Sequence, residues 1–123
     1  MTRIALALLA AAAALGQQKP AEPPEEDEAL AIKEYSFNPL QAEKELRVGN
    51  FYFKKGSYRA AALRFREATR WNPNFAEAWL RLGEAQEKLG DAKAAREAYE
   101  KFLALAPKHK KAPEIRAKLA GKG

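Results

Sequence analysis

The strongest constraint on this chain is that it repeats itself. Gly49 recurs as Gly83, Gly56 as Gly90, Ala61 as Ala95, Phe65 as Tyr99 and Pro73 as Pro107, and every pair is 34 residues apart. Alanine-rich helices match each other at alanine by chance, but not at two glycines and a proline in one register. Glycine in a helix interior costs about 1 kcal/mol relative to alanine. Gly49 and Gly83 therefore read as packing positions where a side chain would keep a partner helix away. Gly56 and Gly90 read as helix ends, where a left-handed residue closes the last turn.

Local signals divide each repeat into two helices. Asn38 can cap a first helix with Pro39 at its first position and Gln41 three residues on. Leu46, Val48, Phe51 and Tyr52 run along it to Gly56. Ser57 can cap the second helix, which carries Ala61, Leu63, Phe65, Ala68 and Trp71. The stretch "NPN" breaks the chain, and Asn74 with Glu77 reads as a capping box for a third helix bearing Ala78, Trp79, Leu82, Ala85 and Leu89. Gly90 and Asp91 turn into a fourth, with Ala95, Tyr99, Phe102 and Leu103, which stops at Pro107. A shorter helix follows around Pro113 to Ala120.

These residues resemble the tetratricopeptide repeat, whose period is the observed spacing. The family pattern is met by Val48-Gly49, Tyr52, Gly56-Ser57-Tyr58, Ala61, Phe65, Ala68 and Pro73, then by Trp79, Leu82-Gly83, Gly90, Ala95, Tyr99 and Pro107. It is departed from at Glu45, where a large apolar residue is usual and Leu46 reads as the real contact, and at Gln86, Ala92 and Phe102. The resemblance implies an all-α fold, two helix-turn-helix repeats plus a C-terminal capping helix, wound as a right-handed α-α superhelix. The domain spans 38–120, with repeat 1 over 42–75, repeat 2 over 76–109 and the capping helix over 110–120. A second resemblance, to the BamD-like family of outer-membrane assembly lipoproteins, rests on "YEKFLALAPKH"; the lipid-bearing cysteine of that family is missing.

In tetratricopeptide repeats the first helices of successive pairs line a concave face. By resemblance this assigns Glu43, Leu46, Asn50, Phe53 and Lys54, then Glu77, Leu80, Glu84, Glu87 and Lys88, to a groove that takes a peptide or helix. The competing reading packs Phe53 and Leu80 against the N-terminal segment or a neighbouring subunit. Some family members grip C-terminal carboxylates there, but only Asn50 falls in place, and Leu46 stands where that clamp wants a base.

Ahead of the repeats, "MTRIALALLAAAAALGQQ" has a basic start at Arg3, twelve apolar residues from Ile4 to Leu15, and small residues before a polar turn. That is the layout of a secretory signal peptide over 1–16, cut after Gly16 or Ala14; the competing readings are an uncleaved anchor or a frayed alanine-rich helix. The run is well short of the roughly 20 residues needed to span a bilayer. The chain contains no cysteine, so it carries no lipoprotein anchor and no disulfide, and its fold rests on packing even in an oxidising compartment. Residues 17–37 read as a disordered, acidic, proline-rich linker, whose end, "LAIKEYSF", regains apolar residues and can fold back.

Charge is distributed unevenly. Gln17 to Gln41 holds two bases and six acids, Ala42 to Pro107 thirteen and nine, and the tail from Lys108 six and one. Arg59, Arg66 and Arg70 fall on one side of the second helix, with Lys55 and Arg64 nearby. Such a stripe attracts nucleic acid or anionic lipid, but an exported protein rarely meets nucleic acid and charge stripes are usually solvated faces. One histidine (His109), two serines (Ser36, Ser57) and no phosphate-cradling glycine loop leave little for catalysis. His109 has no sequence-near carboxylate to make it a base or a metal ligand.

The expectation is a non-catalytic interaction scaffold of the periplasm or cell envelope, taking a protein or peptide partner and no cofactor, metal or nucleic acid, with membrane contact at most peripheral. The alternatives are self-association as a homodimer, since three repeats are usually needed for stability, and envelope-surface binding through the arginine stripe.

Overall fold

The computed structural model describes residues 34–121; the leader expected over 1–16 and the linker as far as residue 33 lie outside the described residues. Five helices follow one another: α1 (Pro39–Lys54), α2 (Tyr58–Trp71), α3 (Ala76–Lys88), α4 (Ala92–Leu105) and α5 (Ala112–Gly121). Each of the first four packs on the next, and α5 rests more lightly on α4. The all-α architecture is as expected.

The helix ends follow from local chemistry. Asn38 Oδ1 accepts the Gln41 N–H at 3.0 Å, with Pro39 in the first turn. Gly56 and Gly90 have φ of 82° and 81°, a region glycine enters without a Cβ penalty. Around each, two bonds close the helix. Gly56 N–H donates to Phe53 O at 3.0 Å and Ser57 N–H to Tyr52 O at 2.9 Å. Gly90 N–H donates to Glu87 O and Asp91 N–H to Gln86 O, both at 3.0 Å. Both turns are Schellman motifs, the same device one repeat apart.

Two capping expectations are corrected. Ser57 stands at the head of α2, but its side chain makes no capping bond. Asn74 and Glu77 form no capping box, because Phe75 is the residue flanking α3. Asn72 Oδ1 instead accepts the Asn74 N–H at 3.1 Å. That bond closes the turn across Pro73, and the helix starts one residue later.

Small residues bring the helices together. Ala42, Ala68 and Ala78 have no exposed surface and join α1, α2 and α3. Tyr52, Ala60, Ala61, Ala62, Phe65, Leu82, Ala85 and Ala98 form the main core. The glycine expectation takes a sharper form. A Cβ on Gly49 would lie 2.5 Å from Phe65 Cε1, and one on Gly83 2.5 Å from Tyr99 Cδ1. An aromatic ring of the second helix occupies the space the first helix leaves empty, so glycine and ring recur together.

Three apolar or charged positions depart from the sequence pattern. Phe51 and Leu89 are exposed rather than core; Phe51 stacks edge-on against Tyr52 at 5.3 Å and carries Lys55 Nζ over its ring at 5.1 Å. Glu45 is itself buried, accepting from Arg64 Nη1 at 3.2 Å and Gln41 Nε2 at 3.0 Å, while Leu46 packs alongside the core. The large position is thus filled by an ion pair, not abandoned. Tyr35, at the end of the expected linker, packs back on α2. Its ring lies 4.9 Å from that of Trp71 and its hydroxyl donates to Glu67 Oε2 at 2.6 Å.

Candidate functional site

The first helix of each pair, α1 and α3, contributes to one face, and α5 joins them. Arg81 on α3 is the hub. Its Nε donates to Asn50 Oδ1 on α1 at 3.0 Å, its Nη1 pairs with Glu84, and its guanidinium lies 4.3 Å from the Phe53 ring centroid and 5.4 Å from that of Phe65. A planar, delocalised guanidinium can lie on a ring and still donate from its edge, which an ammonium cannot do. From α5, Lys111 Nζ reaches Glu84 at 3.4 Å and Lys118 Nζ reaches Glu87 at 2.7 Å. A cleft of about 480 Å³ opens among Phe53, Arg81, Glu84, Glu87, Lys88 and Lys118.

One acid of this face, Glu87, is held ionised. Burial opposes ionisation of Glu87, but hydrogen bonds from Lys118 and Tyr99 win and hold its carboxyl below the ordinary range. The Tyr99 hydroxyl donates to Glu87 at 2.6 Å. Burial first, then that bond, push the Tyr99 phenol well above its ordinary value. The site therefore presents a network of fixed plus and minus charges around one half-buried aromatic ring.

Of the residues assigned to the groove by resemblance, Phe53, Glu84, Glu87 and Lys88 line this cleft, and Asn50 braces it through Arg81. Lys88 Nζ also sits 5.8 Å from the Tyr58 ring centroid. Glu43 and Lys54 are exposed on α1 outside the cleft lining, and Leu46 is turned into the core. Glu77 is exposed, 3.9 Å from His109 Nε2.

Leu80 is a correction. It is 1% exposed, in a cluster with Tyr99, Phe102 and Ile115, because α5 covers it.

Sequence reasoning missed Arg81, Lys111 and Lys118. Arg81 stands three before Glu84 on one helix face, and Lys111 and Lys118 are seven apart; both spacings were available signals.

The other candidates resolve differently. The fold brings a carboxylate to His109 from far along the chain: Glu77, 32 positions earlier, lies 3.9 Å from its Nε2. Its Nδ1 accepts the Lys111 N–H at 3.0 Å and its ring packs edge-on on Phe102 at 5.0 Å. The tyrosine, phenylalanine and histidine of "YEKFLALAPKH" are thus spent on packing. The basic side chains of α2 have different surroundings. Arg64 turns to Glu45, Arg66 is half-buried, and Arg70 pairs with Glu67 at 3.8 Å. Among the described residues no group of three or more His, Cys, Asp or Glu could hold a metal ion, and no helix is long and apolar enough to cross a membrane.

With this geometry in place, a family model described as tetratricopeptide repeat matches residues 49–110, about half of the chain. No curated protein matches the chain.

Proposed function

This chain belongs to the tetratricopeptide repeat family, whose members mediate protein–protein interaction, and we propose that it binds a peptide or helix of a partner protein along the face shared by α1, α3 and α5. The observation that carries this reading is the cleft around Phe53, with Arg81 stacked on the ring and charges of both signs at its margin. An apolar anchor among fixed charges suits a segment with one large apolar side chain and alternating charge.

The reading places the protein in the bacterial cell envelope, exported through the 1–16 leader. Outer-membrane protein assembly is its finer form. Support comes from the layout of the leader and from "YEKFLALAPKH". Fractionation and N-terminal sequencing test export: a cytoplasmic chain that keeps Met1 to Gly16 would sink it.

Capture from envelope extract with the full chain, beside Phe53→Ala and Arg81→Ala, tests the groove. A partner lost from both variants while their helical spectra are unchanged supports the assignment. A partner kept by both refutes it.

Self-association is favoured by one specific observation. Phe37, Leu40 and Phe51 are 66%, 81% and 53% exposed at the α1 end of the stack, where helical arrays usually present a polar cap. Sedimentation of the chain and of Leu40→Glu decides it: a monomer at high concentration removes this alternative.

A further inference from the structure

A second cleft, of about 430 Å³, lies between α2 and α4 over α3, and it shares no lining residue with the groove. Its origin is legible in the repeat. The residue 34 positions before Gln86 is Tyr52, a buried core ring. Glutamine is smaller and leaves the ring's space open between the two repeats' second helices, where Ala98 adds nothing to fill it.

Gln86 is only 6% exposed, yet its side-chain amide makes no hydrogen bond among the described residues. A buried amide without a partner is costly. Its amide atoms are not among those sealed from solvent without a bond, so the amide reaches the cleft, the open space that Gln86 lines. Trp79 and Leu82 make the apolar part of that floor.

The mouth carries two guanidinium groups. Arg66 is half-buried and has no ion pair among the described residues, and Arg70, 48% exposed and held only loosely to Glu67 at 3.8 Å, stands beside it. Burial, then Arg70, hold the Arg66 guanidinium below its ordinary value, against the opposing pull of Asp91 and Glu67. An incoming anion would offset both lowering effects by its opposite charge. Glu97 also lines the cleft, on its α4 wall, and a negative side chain there disfavours a more highly charged anion.

We propose that this cleft is a binding site for an amphipathic carboxylate that carries an amide, its apolar body on Trp79 and Leu82, its amide on Gln86 and its carboxylate on Arg66 and Arg70. Guanidinium recognises carboxylate through paired N–H donors, and the glutamine amide offers one donor and one acceptor to an amide. Free N-acyl amino acids and polypeptide C-termini share this chemistry.

The test is a titration of the ¹⁵N-labelled full chain, followed by the Gln86 side-chain NH₂ signal. The probes are N-acetyl-phenylalanine, its carboxamide, 3-phenylpropionate and a tetrapeptide ending in phenylalanine. N-acetyl-phenylalanine is expected to bind with a Kd of about 1 mM or tighter and to shift the Gln86 signal. The carboxamide and phenylpropionate should each bind about tenfold more weakly. Arg66→Gln should weaken binding about tenfold, and Gln86→Tyr, which restores the ring of the first repeat, should abolish it while the helical spectrum is retained. A tetrapeptide tighter than N-acetyl-phenylalanine assigns the site to polypeptide C-termini, and an equal or weaker one to free acyl amino acids. Absence of binding by every probe at 10-fold that concentration overturns the proposal. So does binding that survives both substitutions, or that ignores the carboxylate.

Discussion

Replacing Gly83 by alanine puts the glycine–ring packing to a quantitative test. The new Cβ would meet Tyr99 Cδ1 and Cε1 at 2.5 Å, a distance that real Cβ atoms do not hold, and Cζ at a tight 3.0 Å. Tyr99 is 2% exposed, and its hydroxyl is tied to Glu87 at 2.6 Å, so the ring cannot simply swing aside. Overpacking of this kind costs about 1–3 kcal/mol. Alanine returns about 1 kcal/mol of helix propensity. Displacing the ring also strains a hydrogen bond to a charged group, worth about 1.5–3 kcal/mol when fully lost. The balance is a destabilisation of about 2 kcal/mol, which urea unfolding registers as a midpoint lowered by about 1–2 M. Gly90→Ala is the control. Nothing lies within 4 Å of its Cβ position, but its φ of +81° costs an alanine about 1–2 kcal/mol. Adding Tyr99→Leu should reduce the cost of Gly83→Ala by about 1 kcal/mol and leave that of Gly90→Ala unchanged. A Gly83→Ala chain as stable as the parent, or one whose cost Tyr99→Leu does not alter, would refute the steric argument.

Other outcomes follow from the same contacts. Ile115→Ala should cost about 2–4 kcal/mol in thermal or urea unfolding, because Ile115 is 1% exposed and covers Leu80. Arg81→Lys should cost about 1 kcal/mol, read by thermal melting, since an ammonium keeps the charge but loses the stacking on Phe53 and the bond to Asn50. Trp71→Phe should be neutral or stabilising, because Trp71 Nε1 is a buried donor without a partner among the described residues and phenylalanine removes it. The Glu87 carboxyl is depressed by Lys118 and Tyr99 against burial. Its contribution is therefore fully present above the unfolded carboxylate value, about 4.3, and is lost as pH falls through the lower folded value. Glu87→Gln should flatten stability against pH in that acid window, measured by urea unfolding from pH 2 to 6.

Much of this molecule is legible in one dimension because its architecture is local. A 34-residue period sets two helices per unit, and left-handed glycines at 56 and 90 place the turns. Neighbouring units then have little choice but to stack. The glycine at 49 or 83 and the ring at 65 or 99 are sixteen positions apart, close enough for a repeat pattern to pair them.

What the sequence determined alone was therefore the number and order of helices, their turns, and the face of each that is apolar. Only the tertiary structure decided which polar and charged side chains meet and which side chains remain open to solvent. Arg81 with Asn50, Lys118 with Glu87 and Glu77 with His109 are joined across 31 or 32 positions, and a charged side chain looks solvated in sequence until a second helix is laid beside it. Leu80 was closed by α5, and Gln86 was opened by being smaller than Tyr52. Periodicity reports which face a residue occupies. Whether a neighbour fills the space in front of it is a question of three-dimensional volume.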